Sequence, residues 1–199
     1  MILGGRCRDC GDRISIRYPL VEAAASGLLL VAYLKFGLTA AFAFYAVLFL
    51  GLLALSLIDL EHYLLPNRIV IPLLVFGLVF EMLFNVIPLW KSLLGMVVGG
   101  GLLLLVAYGG KWIFGKEAMG GGDIKLTAMM GVYVGWPDVL VLFFLAAVFA
   151  SAVGIVLMLG WGKKGRDPIP FGPFLALGCM VTVLWGNALL DWYLGFFAT

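Results

Sequence analysis

Charge is what this sequence has least of. Asp, Glu, Lys and Arg make up 12% of its 199 residues, 13 basic and 11 acidic, for a net charge of +2. A soluble domain carries about 25%. A bigger core cannot hide the deficit, because about 200 residues make only one or two domains. The shortage excludes an ordinary cytosolic enzyme, a disordered chain and a nucleic-acid-binding protein. The 27 glycines lack a Gly-X-Y period, which excludes collagen. Apolar/polar alternation is lacking too: residues 139–150 are apolar throughout, where a transmembrane β-strand would alternate. The chain shows no low-complexity tract, no internal repeat, no soluble second domain and no nucleotide-type Gly-rich βαβ unit. A cleavable signal peptide is not visible, since residues 1–18 hold four Arg and no long apolar run.

What is there is apolar sequence: 64% of residues are hydrophobic and the mean hydropathy is +1.13. Lipid-immersed backbone must satisfy its own hydrogen bonds, so the expected fold is all-α, a polytopic transmembrane helix bundle. About seven membrane helices are expected, near 19–36, 39–58, 69–88, 91–114, 124–136, 138–161 and 171–194, the fifth short and rich in Gly and Met. The connections alternate in charge. Arg6, Arg8, Arg13, Arg17, Arg68, Lys111, Lys116, Lys125, Lys163, Lys164 and Arg166 fall on one side, and only Lys35 and Lys91 on the other. The positive-inside rule makes the first side cytoplasmic, with the amino end inside and the carboxyl end outside. Trp90, Trp136 and Trp192 then fall at outer span ends, as interfacial anchors do. Lys163, Lys164 and Arg166 suit a cytoplasmic anchor.

Acids at a bilayer are costly, about 2.5–3.5 kcal/mol for an Asp at a helix centre, so their placement points to function. Asp59 follows the apolar run 48–58, and Asp123 stands after Gly120, Gly121 and Gly122. The topology puts both at the cytoplasmic face. Two carboxylates brought together share a proton; one can activate water while the other donates to a carbonyl, as in aspartic proteases. The glycines would permit unusual backbone angles and close approach of an extended substrate. A helix opening just after Gly122 would add free N–H groups. The plainer alternative makes the two acids interfacial anchors or ion-pair partners of Arg68 and Lys125. Glu81, inside the third span, is expected to face the bundle interior and pair with a polar group. Gly95, Gly99, Gly100 and Gly101 suggest close helix packing, and Met129, Met130 and Cys179 suggest core packing. His62, three residues after Asp59, is left outside the catalytic set.

Four segments resemble the type IV prepilin peptidase family. Ile58-Asp59-Leu60-Glu61-His62-Tyr63-Leu64-Leu65-Pro66-Asn67 resembles its first catalytic segment. Residues 115–126, with Gly120-Gly121-Gly122-Asp123, resemble its Gly-x-Gly-Asp segment, and Pro168-Ile169-Pro170-Phe171-Gly172-Pro173-Phe174 its late Pro-Phe-Gly-Pro loop. Arg6-Cys7-Arg8-Asp9-Cys10 and Arg17-Tyr18-Pro19-Leu20-Val21-Glu22 resemble the end of its cytoplasmic cysteine-containing domain. The matches run in family order. The resemblance implies an inner-membrane aspartic endopeptidase that cuts the leader from type IV prepilins or type II secretion pseudopilins, and in many members methylates the new amino terminus with S-adenosylmethionine. It makes Asp59 and Asp123 the catalytic pair, needing no cofactor for proteolysis. Gly120, Gly122, Lys125 and Glu61 are candidate site-shaping or substrate-binding residues, Glu61 and Glu117 by attraction to a basic leader, while Glu22 is structural or linked to methyl transfer. Residues 1–18 read as the remnant of the cysteine domain and 19–199 as the peptidase domain, the family's first helix and first Cys-x-x-Cys pair being absent. Cys7 and Cys10 are then half of a four-ligand zinc site, or else two reduced thiols. The expected partners are the bilayer and the substrate, not nucleic acid. A reading from another class is a small proton-coupled transporter that uses the same acids, which would then sit near the midplane.

Overall fold

The computed structural model describes residues 12–13, 15–114, 120–161 and 170–197. Seven helices carry nearly all of them: α1 Arg17–Phe36, α2 Ala40–His62, α3 Asn67–Phe84, α4 Leu89–Phe114, α5 Gly121–Val134, α6 Asp138–Trp161 and α7 Gly172–Phe197. The all-helical bundle expected from composition is therefore observed. Five helices, α1 to α4 and α6, are long and apolar enough to cross a membrane. In α7 the apolar section runs over Gly172–Gly186. With 14 residues, α5 is about 21 Å long, less than the roughly 30 Å hydrocarbon layer.

Local chemistry sets the helix ends. Thr39 caps α2, its Oγ1 accepting from Phe42 N at 3.4 Å and donating to Phe36 O at 2.9 Å. Tyr63 ends α2 in the left-handed region at φ 53°, and its N–H donates to Asp59 O at 2.9 Å. Pro66 then precedes α3, where a missing N–H costs nothing. Two boundaries differ from the sequence expectation. α2 continues through His62, so Asp59 and Glu61 lie in its last turns rather than in a loop. α5 starts at Gly121 rather than after Gly122, so Asp123 lies inside its first turn.

The core is centred on α2, α5 and α7. Phe44, Leu48, Leu52 and Leu55 form one inward stripe of α2 at spacings of three and four. In lipid, tail contacts are as apolar as core contacts, so close packing holds helices together. α4 and α5 achieve it with glycine. A Cβ on Gly95 would collide with Gly131 O, one on Gly131 with Gly95 O, and one on Gly99 would sit 2.5 Å from Thr127 O. Gly100 lies against Ala128, whereas Gly101 faces open space and takes no part. Tyr133, fully buried on α5, lies against Gly77 and donates its hydroxyl to Leu73 O of α3 at 2.8 Å. Met129, Met130 and Cys179 are fully buried packing residues, as expected. Glu81 is 1% exposed and pairs with backbone: its Oε2 accepts from Ile87 N at 2.9 Å. It sits in the last turn of α3, near the bundle's end rather than its middle.

Candidate active site

Asp59 continues the buried stripe of α2 one turn beyond Leu55 and is 5% exposed. The stripe that seats leucines upstream thus delivers a carboxylate to the end of the bundle. There it meets the start of α7. Gly172 N–H donates to Asp59 Oδ2 at 3.0 Å. That N–H belongs to the first turn of α7, whose amide hydrogens have no partner within the helix, and the helix dipole favours negative charge there. A Cβ on Gly172 would lie 2.5 Å from Asp59 Oδ2, so only glycine lets the backbone come this close.

Asp123 arrives from the other side, in the first turn of α5. Its N–H donates to Gly120 O at 3.2 Å. Two contacts hold this end of α5 against the α2–α3 connection. A Cβ on Gly122 would lie 3.1 Å from Leu65 Cβ, and Lys125 Nζ donates to Asn67 Oδ1 at 3.1 Å. Asp59 and Asp123 are close enough for the charge of one to act on the other. Each also stands at a helix amino terminus, α7 for Asp59 and α5 for Asp123. Two residues 64 positions apart thus converge at one end of the bundle.

Several sequence expectations change at this point. The ion-pair alternative fails: among the described residues, no Lys or Arg forms an ion pair with either aspartate, and Lys125 turns to the Asn67 amide instead. Glu61 forms an exposed ion pair with Arg17 of α1, 44 residues earlier. His62 is exposed beside Glu61, 3.8 Å from its Oε2. The glycines before Asp123 do not use unusual backbone angles. Gly120 has φ −73° and ψ 144°, and the positive-φ glycines of the described chain are Gly37 and Gly135. Gly122 serves close packing against Leu65, and Gly121 faces open space. The midplane position needed by a transporter is also not found, because both acids lie at helix ends. Gly172 was missed as a site residue, although the Pro-Phe-Gly-Pro segment was in view; nothing in one sequence tells which of its groups meets an acid. Cys7, Cys10 and Glu117 lie outside the described residues. Among the described residues, no cluster of His, Cys, Asp and Glu could hold a metal ion.

Fold and site define a class: a polytopic helical membrane protein in which two aspartates from separate helices lie at the same end of the bundle, within range of each other's charge. Comparison with known proteins places the chain within that class. The Type IV leader peptidase family matches residues 46–155, which include both aspartates, and the Bacterial Peptidase A24 N-terminal domain matches residues 1–36. The chain belongs to the Type IV leader peptidase family. Its relatives include proteins named prepilin leader peptidase/N-methyltransferase. The one from Aeromonas salmonicida is 39% identical over 194 residues, covering 96% of this chain and 66% of the relative. Those from Stutzerimonas stutzeri and Pseudomonas aeruginosa are 39% and 38% identical over 196 residues, covering 98% of this chain and 68% of each relative. The chain thus spans just under two thirds of the length of the Aeromonas protein. No solved structure matches the chain.

Proposed function

We propose that the protein is an aspartic endopeptidase that removes the leader from prepilins or related pseudopilins. The observation that supports this reading is the placing of Asp59 and Asp123 at one end of the bundle, with Gly172 N–H on Asp59 and the two acids within range of each other's charge. Two like charges in a poorly solvated place do not both persist, so the pair holds one proton between them. Asp59 Oδ2 is engaged by Gly172, which leaves Oδ1 for the water and for Asp123. One carboxylate takes a proton from the attacking water while the other donates to the scissile carbonyl, and no covalent intermediate forms. The substrate strand lies along Gly120 and Gly121: Gly121 faces open space, and the nearest atom to a Cβ built on Gly120 is Asp123 Oδ2 itself, at 3.8 Å. Arg17, Arg68, Lys111 and Lys125 mark the aspartate end, and Lys35 and Lys91 the other, so the site faces the cytoplasm of an inner-membrane protein.

The relatives' names include N-methyltransferase. S-adenosylmethionine would need a cavity beside the newly formed amino terminus. A cavity lined by Lys35, Lys91 and Asp138 lies at the opposite end of the bundle, away from an amino terminus formed at the aspartates. No methyl-transfer step is assigned to these residues.

The test is incubation of membranes containing the protein with a prepilin-like substrate. Asp59→Asn and Asp123→Asn should each abolish leader removal while the protein still accumulates in the membrane. Processing at the normal rate by either variant would overturn the dyad.

A further inference from the structure

At the end of the bundle away from the aspartates lies a cavity of about 320 Å³, within the range of small-ligand sites. It is formed where the end of α1, the α3–α4 and α5–α6 connections and the second half of α7 come together. Lys35 and Lys91, the basic residues that the charge pattern sets apart from all others, both line it. So do Asp138, Tyr45, Trp136 and Trp185. Lys35 is exposed at the cavity's mouth, and the Lys91 charge acts on the Asp138 carboxylate, yet among the described residues none of the three forms a close ion pair. Asp138 Oδ1 is buried and accepts no hydrogen bond. Glu81 Oε1 is also buried and unpartnered, on a side chain whose other oxygen is held by Ile87 of the cavity wall. Buried polar atoms without a partner are rare and ask for a missing one.

The cavity is built, not incidental. Trp136 N–H donates to Lys91 O at 3.0 Å, which ties the α5–α6 connection to α4. The Lys91 ammonium stands 5.7 Å from the centre of the Trp90 ring. Asp138 is set against α7 at Gly186, where a Cβ would come 3.7 Å from its Oδ1. Two cations facing one hydrogen-bond-hungry carboxylate match a zwitterion: an anion for the lysines and an ammonium with N–H donors for Asp138. Trp136, 37% exposed, and Trp185, 53% exposed, give the rim the amphipathic rings found at headgroup level.

We propose that this cavity binds the headgroup of an aminophospholipid, a phosphodiester bearing a primary ammonium, from the leaflet opposite the aspartates. The phosphate lies between Lys35 and Lys91, and the ammonium donates to Asp138.

Native mass spectrometry of the full chain in detergent tests this with lipids of identical acyl chains. One phosphatidylethanolamine per chain should be retained about tenfold more tightly than phosphatidylcholine, whose nitrogen has no N–H to donate. The mono- and dimethylated headgroups should fall between them, a graded series that needs no variant. Asp138→Asn should erase the preference while still binding lipid, and Lys35→Gln with Lys91→Gln should weaken both lipids about tenfold. Equal retention across the methylation series would overturn the proposal. So would release of the lipid by millimolar inorganic phosphate, or binding of glycerophosphoethanolamine as tight as that of the lipid, since either would assign the cavity to a soluble anion.

Discussion

At Gly172 a single methyl group would land 2.5 Å from Asp59 Oδ2, inside any normal contact. Backbone or carboxylate must then shift by several tenths of an ångström. Misplacing a reacting group by about 1 Å costs roughly 100-fold in rate. Gly172→Ala should therefore lower leader cleavage by one to two orders of magnitude, about 10- to 100-fold, with the protein still present in the membrane; a time course with a prepilin-like substrate measures it. Glu61 makes the opposite case. Its ion pair with Arg17 is exposed, and such pairs contribute about 0–1 kcal/mol. Glu61→Gln should leave thermal unfolding in detergent nearly unchanged. Cleavage of a substrate with a basic leader should stay within about twofold of the parent, an effect of under 1 kcal/mol.

The α4–α5 pair carries the same argument to the scale of an element. Its backbones touch at Gly95 and Gly131 with no side chain between them, so bulk there cannot be absorbed by a rotamer change. Gly131→Leu should separate the helices and reduce both unfolding temperature and cleavage. Overpacking usually costs about 1–3 kcal/mol, and a backbone-to-backbone contact belongs at the upper end. Tyr133→Phe is milder: it removes one hydrogen bond to α3 and should lower stability by about 0.6–1.7 kcal/mol, read from a denaturant series in detergent. The helices themselves were legible in the sequence, because runs of apolar residues of spanning length have only one stable conformation in lipid. Both aspartates were legible as well, since acids stand out against such runs. Their partners were not. The contact of Gly172 with Asp59 joins residues 113 positions apart. Periodicity carries no information about which helix ends meet. The Arg17–Glu61 and Lys125–Asn67 contacts were hidden for the same reason.

The whole molecule is two-ended. One end carries Asp59 and Asp123 among several basic residues, and the other carries Lys35, Lys91 and the tryptophans Trp90, Trp136 and Trp192. Leu64, 67% exposed after α2, and Leu38, 82% exposed before it, should lie on opposite sides of the membrane. With the native cysteines replaced, Leu38→Cys should react with an impermeant maleimide in intact cells, and Leu64→Cys only after permeabilisation. Equal reactivity in intact cells would contradict the orientation. The brevity of α5 has a mechanical outcome. A rod about 21 Å long inside a slab about 30 Å thick leaves a shortfall of about 9 Å. Because α5 is enclosed by its neighbours, a deficit at the Gly120–Gly121 end opens a recess walled by protein. Water entering such a recess reaches toward the acids, and under the proposed function a peptide anchored in the bilayer need only drift sideways to arrive there.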